Sequence, residues 1–265
     1  MGTLNPDTWD RGGLYESFVG RWSRSVARGF LGWLGRPPGG DWLDVGCGTG
    51  ALTDTVLALC EPRAVTGIDA SAGYIEFARG RVRDVRVQFK VADAQMIPLD
   101  TASFDGVVSG LMVNFVPEPS KAAAEMRRVV RSGGVVGAYV WDYEGKMELL
   151  RYFWDAAVAL NPKAADLGEG RRFHLCKPEP LAALFSGAGL QMVETTAIDV
   201  PALFRDFDDY WSPFLGGQGP AGGYTNSLDE AARSALRELL RRRLPARADG
   251  SIHLTVRAWA VKGRA

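Results

Sequence analysis

The stretch Leu43-Asp44-Val45-Gly46-Cys47-Gly48-Thr49-Gly50 places three alternate glycines directly after a short apolar run. A turn without side chains lets the backbone approach a ligand closely. Asp69 lies 19 residues past Gly50, at the end of the apolar run Ala64-Val65-Thr66-Gly67-Ile68. A carboxylate in that position can accept both hydroxyls of an unphosphorylated ribose. A third acid, Asp93, follows in Val91-Ala92-Asp93-Ala94. There a carboxylate can accept from an adenine amino group while the N–H of Ala94 donates to the ring. By itself the glycine loop also fits the looser dinucleotide fingerprint through Gly46, Gly48 and Ala51, or is simply a tight turn. The third acid separates these readings, because a pyrophosphate binder does not require it.

The elements that must carry these residues follow from hydropathy spacing. Phe18, Trp22, Val26, Phe30 and Trp33 recur at three- and four-residue steps and predict an amphipathic helix over 15–34, broken by Arg36-Pro37-Pro38-Gly39-Gly40. Strands are expected at 42–45, 64–68, 86–91, 104–109 and 135–141, with helices over 52–59, 72–81 and 119–131, the last stopped by Ser132-Gly133-Gly134. Strands alternating with helices at this rhythm make a parallel, doubly wound sheet covered on both faces. A further helix is expected over 178–187, then strands over 190–198 and 251–262. The whole is an α/β fold with a mostly parallel seven-stranded sheet. Residues 143–177 and 201–249 are extra to a minimal domain and are read as helical cap insertions, with Gly216–Gly223 as a hinge.

The ordered segments 43–50, 67–71, 92–99, 103–109 and 130–134 resemble the class I S-adenosylmethionine-dependent methyltransferases, in the branch of small-molecule enzymes similar to those of ubiquinone and menaquinone biosynthesis. The resemblance covers roughly 40–142 and implies S-adenosylmethionine as cofactor. It implies that Asp44, Gly46 and Gly48 line the methionine part and that Asp69, with Ala70 beside it, binds the ribose. Asp93 with Ala94 would read the adenine, and Ser109 would face the methionine amino group through its backbone. Residues 1–39 look like the N-terminal helical segment of relatives, in which an aromatic and an Arg, here Tyr15 and Arg21, close over the cofactor carboxylate. Residues 40–265 are then the methyltransferase domain. Relatives often carry His after the fourth strand, whereas this chain reads Leu111-Met112-Val113-Asn114-Phe115, and Asn114 is no general base. The catalytic residue stays unassigned, with His174 and His253 the only imidazoles.

Such an enzyme would transfer a methyl group in line to a small-molecule acceptor through O, N or C. The rival readings are a non-catalytic module that holds the same cofactor and a nicotinamide-dependent oxidoreductase. The 265 residues balance 31 Lys and Arg against 31 Asp and Glu, which disfavours a nucleic-acid partner. No apolar stretch approaches a membrane span, no cluster has metal-ligand spacing, and Cys47, Cys60 and Cys176 form no pairing pattern. A cytoplasmic protein is expected. Phe204, Phe207, Trp211 and Phe214, with Tyr210 beside them, form a ring stripe at helical spacing that either lines an apolar acceptor pocket or packs the cap itself.

Overall fold

The computed structural model describes residues 20–35, 39–217 and 219–265, so Tyr15 and most of the 1–39 segment lie outside the described residues. Its strands are β1 (Asp41–Val45), β2 (Ala64–Asp69), β3 (Val87–Val91), β4 (Phe104–Gly110), β5 (Val130–Trp141), β6 (Gln191–Phe204) and β7 (Ile252–Arg264). They form one sheet in the order β3-β2-β1-β4-β5-β7-β6. Strands β1 to β5 pair in parallel, and β7 runs antiparallel to β5 from Val135↔Arg264 to Trp141↔Ala258. Contacts divide the chain into two compact units. One comprises Ser23–Trp141, Leu175–Ile198 and Ala258–Ala265; the other comprises Asp142–His174, Asp199–Arg257 and, of the described N-terminal residues, 20–22.

The first unit holds the parallel strands, of which β1, β2 and β4 are buried on both faces as crossover helices require. Its helices are α1 (Arg21–Leu34, from Ser23 onward), α2 (Ala51–Cys60), α3 (Ala72–Arg81), α4 (Pro119–Val129) and, later in the chain, α7 (Pro178–Gly187). Helix α1 buries Val26, Ala27, Phe30, Leu31 and Leu34, and the Phe30 ring meets Tyr139 of β5 with centroids 4.9 Å apart. Two boundaries differ from the sequence expectation. Helix α4 ends at Val129 rather than Arg131, because Val130 turns extended and pairs with Phe104. Strand β5 accordingly begins at Val130, and the register shifts between Phe104 and Gly106.

In the second unit the helices are α5 (Glu148–Leu160), α6 (Glu169–Arg172), α8 (Phe207–Trp211), α9 (Gly219–Ser227) and α10 (Glu230–Arg243), with 3-10 turns at Pro162–Leu167 and Ser212–Gly216. Strand β6 runs on to Phe204 instead of stopping at Ile198, so residues 201–204 are strand and not insertion. The alternation of buried Ile198, Val200, Ala202 and Phe204 is the cause. The ring stripe therefore crosses three elements. Phe204 ends β6, Phe207, Tyr210 and Trp211 lie in α8, and Phe214 sits in a 3-10 turn. Its rings fill the interior of this unit: Phe214 stacks on Phe153 at 4.5 Å, and the buried Tyr210 hydroxyl donates to the Leu149 carbonyl at 2.9 Å. The glycine-rich stretch expected to be a hinge is instead helical over Gly219–Ser227, with Gly219, Pro220, Ala221 and Gly222 buried.

Trp211 is 5% exposed and packs against Phe207 and Phe214. Trp211→Ala is expected to cost roughly 3–5 kcal/mol, as large aromatic deletions in cores do. A urea titration checks this. A midpoint equal to that of the parent protein would refute a packing role.

Candidate functional site

The glycine turn hangs from the end of the neighbouring strand. The N–H groups of Gly46 and Cys47 both donate to the Ile68 carbonyl, at 2.8 and 2.9 Å. The Gly48 N–H donates to Asp69 Oδ2 at 2.9 Å, and the Ser71 N–H donates to Asp69 Oδ1 at 2.8 Å. One carboxylate thus ties the turn after β1 to the start of α3, where Ser71 caps the helix through Tyr74 N–H. Burial pushes the Asp69 carboxyl above the usual range, against the pull of these two amides. Each of its oxygens keeps lone-pair capacity beyond the single amide it accepts.

The three glycines have different reasons for being glycine. All three adopt positive φ, +73° at Gly46, +51° at Gly48 and +84° at Gly50. A Cβ on Gly50 would press on Val82 and Ala78, so that position serves the packing of α3. A Cβ on Gly48 would meet nothing within 4 Å, so this is the glycine whose Cβ direction opens to a ligand. On Gly46 a Cβ would fall on the Met112 side chain. An open Cβ direction thus belongs to Gly48, while Gly46 and Gly50 are also hemmed in by neighbouring side chains.

Asp44 is fully buried at the end of β1. Thr53, in the first turns of α2, donates to its Oδ2 at 2.7 Å, and Oδ1 has no hydrogen-bond partner among the described residues. Burial, with a smaller push from the Asp69 charge, raises its pKa to about 7. Cys47, in the same turn, is likewise buried, and its thiol is driven well above the ordinary value. Asp93 is the opposite case: it is exposed, and the Gln95 backbone N–H and side-chain amide hold its carboxyl below the usual range. Gln95 also accepts the Glu118 N–H at 3.0 Å, joining the segment after β3 to the start of α4. Ser109, at the end of β4, is buried with its hydroxyl unpartnered among the described residues.

Asp44, Gly46, Gly48, Asp69, Ala70, Asp93, Ala94 and Ser109 thus all lie at or just beyond the C-terminal ends of the adjacent strands β1 to β4, the edge at which open α/β sheets bind ligands. Arg21 belongs to the other unit, where its guanidinium grips Asp209 through both carboxylate oxygens, at 3.2 and 3.3 Å, and lies over the Trp22 and Phe204 rings. His174 and His253 are assigned no part in this edge, and His253 is exposed on β7. Thr53, Gln95 and Met112 went unnoticed in the sequence, since each reaches the site from a separate element with no motif of its own. Among the described residues no group of acids, His and Cys is placed to hold a metal ion.

The raised pKa of Asp44 has a definite sign. Its folded value of about 7 exceeds the ordinary 3.8, so the protonated form favours folding. The contribution is whole below pH 4 and is lost as pH rises towards 7, by about 4 kcal/mol in all. Asp44→Asn should therefore gain stability relative to the parent between pH 4 and 7 and level off above. Melting midpoints of both proteins across that range check it; a pH-independent difference would show an ordinary carboxylate.

Residues 43–137 match the family described as methyltransferase domain. A phosphatidylethanolamine N-methyltransferase of Cereibacter sphaeroides is 34% identical over 49% of this chain and 64% of its own length. A 2-methyl-6-phytyl-1,4-hydroquinone methyltransferase of Synechocystis is 30% identical over 69% of this chain and 57% of its own length. The matches span 36% to 64% of the first four curated relatives. Among solved structures, Haemonchus contortus phosphoethanolamine N-methyltransferase 2 in complex with S-adenosyl-L-methionine shares the fold, with a TM-score of 0.59 and 18% identity over 96% of this chain and 56% of that one. Residues 43–137 thus carry a methyltransferase domain, and family match, relatives and fold together support a class I S-adenosylmethionine-dependent methyltransferase.

Proposed function

We propose that the protein transfers the methyl group of S-adenosylmethionine to a small-molecule acceptor. The observation that carries this reading is the row of carboxyls Asp44, Asp69 and Asp93 at the ends of β1, β2 and β3, next to a turn that is open only at Gly48. The residues present suit the cofactor. A buried carboxyl with an orphan oxygen is costly unless a donor or cation meets it, and Asp44 Oδ1 offers itself to the ammonium of the methionine part. Gly48 leaves room beside it, and the backbone at Ser109 faces the same end.

Asp69 takes the ribose hydroxyls with its remaining lone pairs, and Ala70 lies alongside. Asp93 and the Ala94 N–H take the adenine edge. Tyr15 and Arg21 of the 1–39 segment serve the carboxylate of the cofactor, a role in which Arg21 competes with its Asp209 pair. When bound, the cofactor supplies an electrophilic methyl on a sulfonium, so the chain's own task is alignment and exclusion of water. Acceptor selection is assigned to the insertions at about 143–177 and 201–249. The relatives named above act on a phospholipid amine and a hydroquinone, and an O, N or C nucleophile of a small molecule is the class proposed here. A reducing cytoplasm suits Cys47, Cys60 and Cys176, all buried as thiols. Among the described residues no helix is long and apolar enough to cross a membrane.

Calorimetric titration tests the reading. S-adenosylmethionine and S-adenosylhomocysteine should bind at least about tenfold more tightly than the nicotinamide dinucleotides, a difference of roughly 1.4 kcal/mol. Tight nicotinamide binding with none of the sulfonium would overturn it. Asp69→Ala should weaken S-adenosylhomocysteine by about ten- to a hundredfold, the worth of a charge-assisted pair of hydrogen bonds. It should also melt lower, since the Gly48 and Ser71 amides lose their acceptor. An unchanged dissociation constant in a folded variant would free Asp69 of the ribose role.

A further inference from the structure

Met112 stands two residues beyond β4, after a turn the chain has no local reason to make. Leu111, just before it, adopts a left-handed backbone with φ +61°, although a glycine, Gly110, is next to it. Its N–H donates to the Tyr139 carbonyl at 2.8 Å, which holds the turn to β5. A left-handed non-glycine residue persists only where its surroundings over-determine it. The turn delivers Met112 onto the glycine loop. A Cβ built on Gly46 would lie 2.6 Å from the Met112 Cβ, 3.3 Å from its Cε and closer still to its Cγ. Beyond the left-handed φ of +73° that already favours glycine, the Met112 side chain fills the space a Cβ on Gly46 would need.

We propose that Met112 is a positioning residue that forms the lid over Gly46, leaves no room for a side chain there, and sets how the amino-acid end of the cofactor approaches the turn. This rests on the cofactor reading given above. An unbranched, polarizable thioether suits the task, because it can follow the shape of a neighbour without carrying a charge that would compete for Asp44.

The chain's methionines supply their own controls. Met126 and Met147 are fully buried, whereas Met96 and Met192 are 77% and 67% exposed. With methyl-13C methionine, the Met112 signal, identified through Met112→Leu, should shift on addition of S-adenosylhomocysteine. It should stay in place with 5′-methylthioadenosine, which lacks the amino-acid end. A Met112 signal unmoved by saturating S-adenosylhomocysteine would overturn the proposal.

A double-mutant cycle tests the contact with Gly46 itself. Gly46→Ala should weaken S-adenosylhomocysteine by about tenfold or more, and Met112→Gly by about three- to tenfold. The doubly substituted protein should return to within about threefold of Met112→Gly, because the Cβ and Cγ that crowd position 46 are gone. A double variant no better than Gly46→Ala would show that the Met112 side chain does not set the limit at position 46 and would sink the proposal. The left-handed strain that Gly46→Ala introduces lowers the melting midpoint in both backgrounds, so only the difference between backgrounds reports the clash. Should the parent protein bind neither cofactor form in calorimetry, the functional reading fails; the same cycle in melting midpoints then still decides whether Met112 dictates Gly46.

Discussion

Asp44 is a carboxyl group wholly removed from water with one oxygen satisfied and the other bare. Keeping a polar group in that condition costs free energy, and the pKa of about 7 is the form the cost takes. The surroundings arrange themselves around this constraint. Helix α2 must start where Thr53 can reach Oδ2, so the turn that precedes it has to be tight. That turn is in turn held by the Ile68 carbonyl and by Asp69, which places a second carboxyl close enough to raise the first. Two acids that repel each other across one glycine turn are poor design for stability alone and good design for meeting a cation.

The turn shows how one motif serves several masters. Gly50 permits α3 to pack, Gly46 yields to a side chain arriving from beyond β4, and Gly48 opens outward. Its amide is nevertheless fully engaged by Asp69, so the open direction is available without leaving a backbone donor idle. The segment after β3 is stiffened independently. Arg128 of α4 donates to the carbonyls of Ile97 and Leu99, while Glu125 accepts the Ile97 N–H at 2.7 Å. Asp93 and Ala94 thus precede a loop clamped by a helix that belongs to the next crossover.

The second unit owes its cohesion to rings. Phe153, Phe214, Tyr210, Phe207, Trp211 and Phe204 contact one another in a chain of stacked and edge-on pairs, and their burial accounts for a spacing that on the sequence alone suits a ligand pocket equally well. Arginines of α10 cover its outside, with Arg241 over the Phe207 ring at 4.2 Å and Arg237 paired to Asp208. These two arginines lie on aromatic and acidic neighbours, their stems covering apolar surface.

The doubly wound sheet and the strand-end acids are legible in the linear chain. Alternating apolar runs and helical periods are local signals, and a glycine turn followed by acids at two later strand ends is written in linear spacing. The helix over 178–187 and the first five strands were legible for the same reason. The end of β6 was misplaced at Ile198, because the ring spacing that begins at Phe204 overlaps the strand alternation through Val200 and Ala202 and masks it. Only the tertiary structure decided what converges on the turn. Thr53, Gln95 and Met112 come from three separate elements, and which of them meets Asp44, Asp93 or Gly46 depends on strand order and register. Burial decided the rest: Asp44 and Asp93 are the same residue type at equivalent strand ends, yet one is pushed towards neutrality and the other held ionised, because only one of them has lost its water.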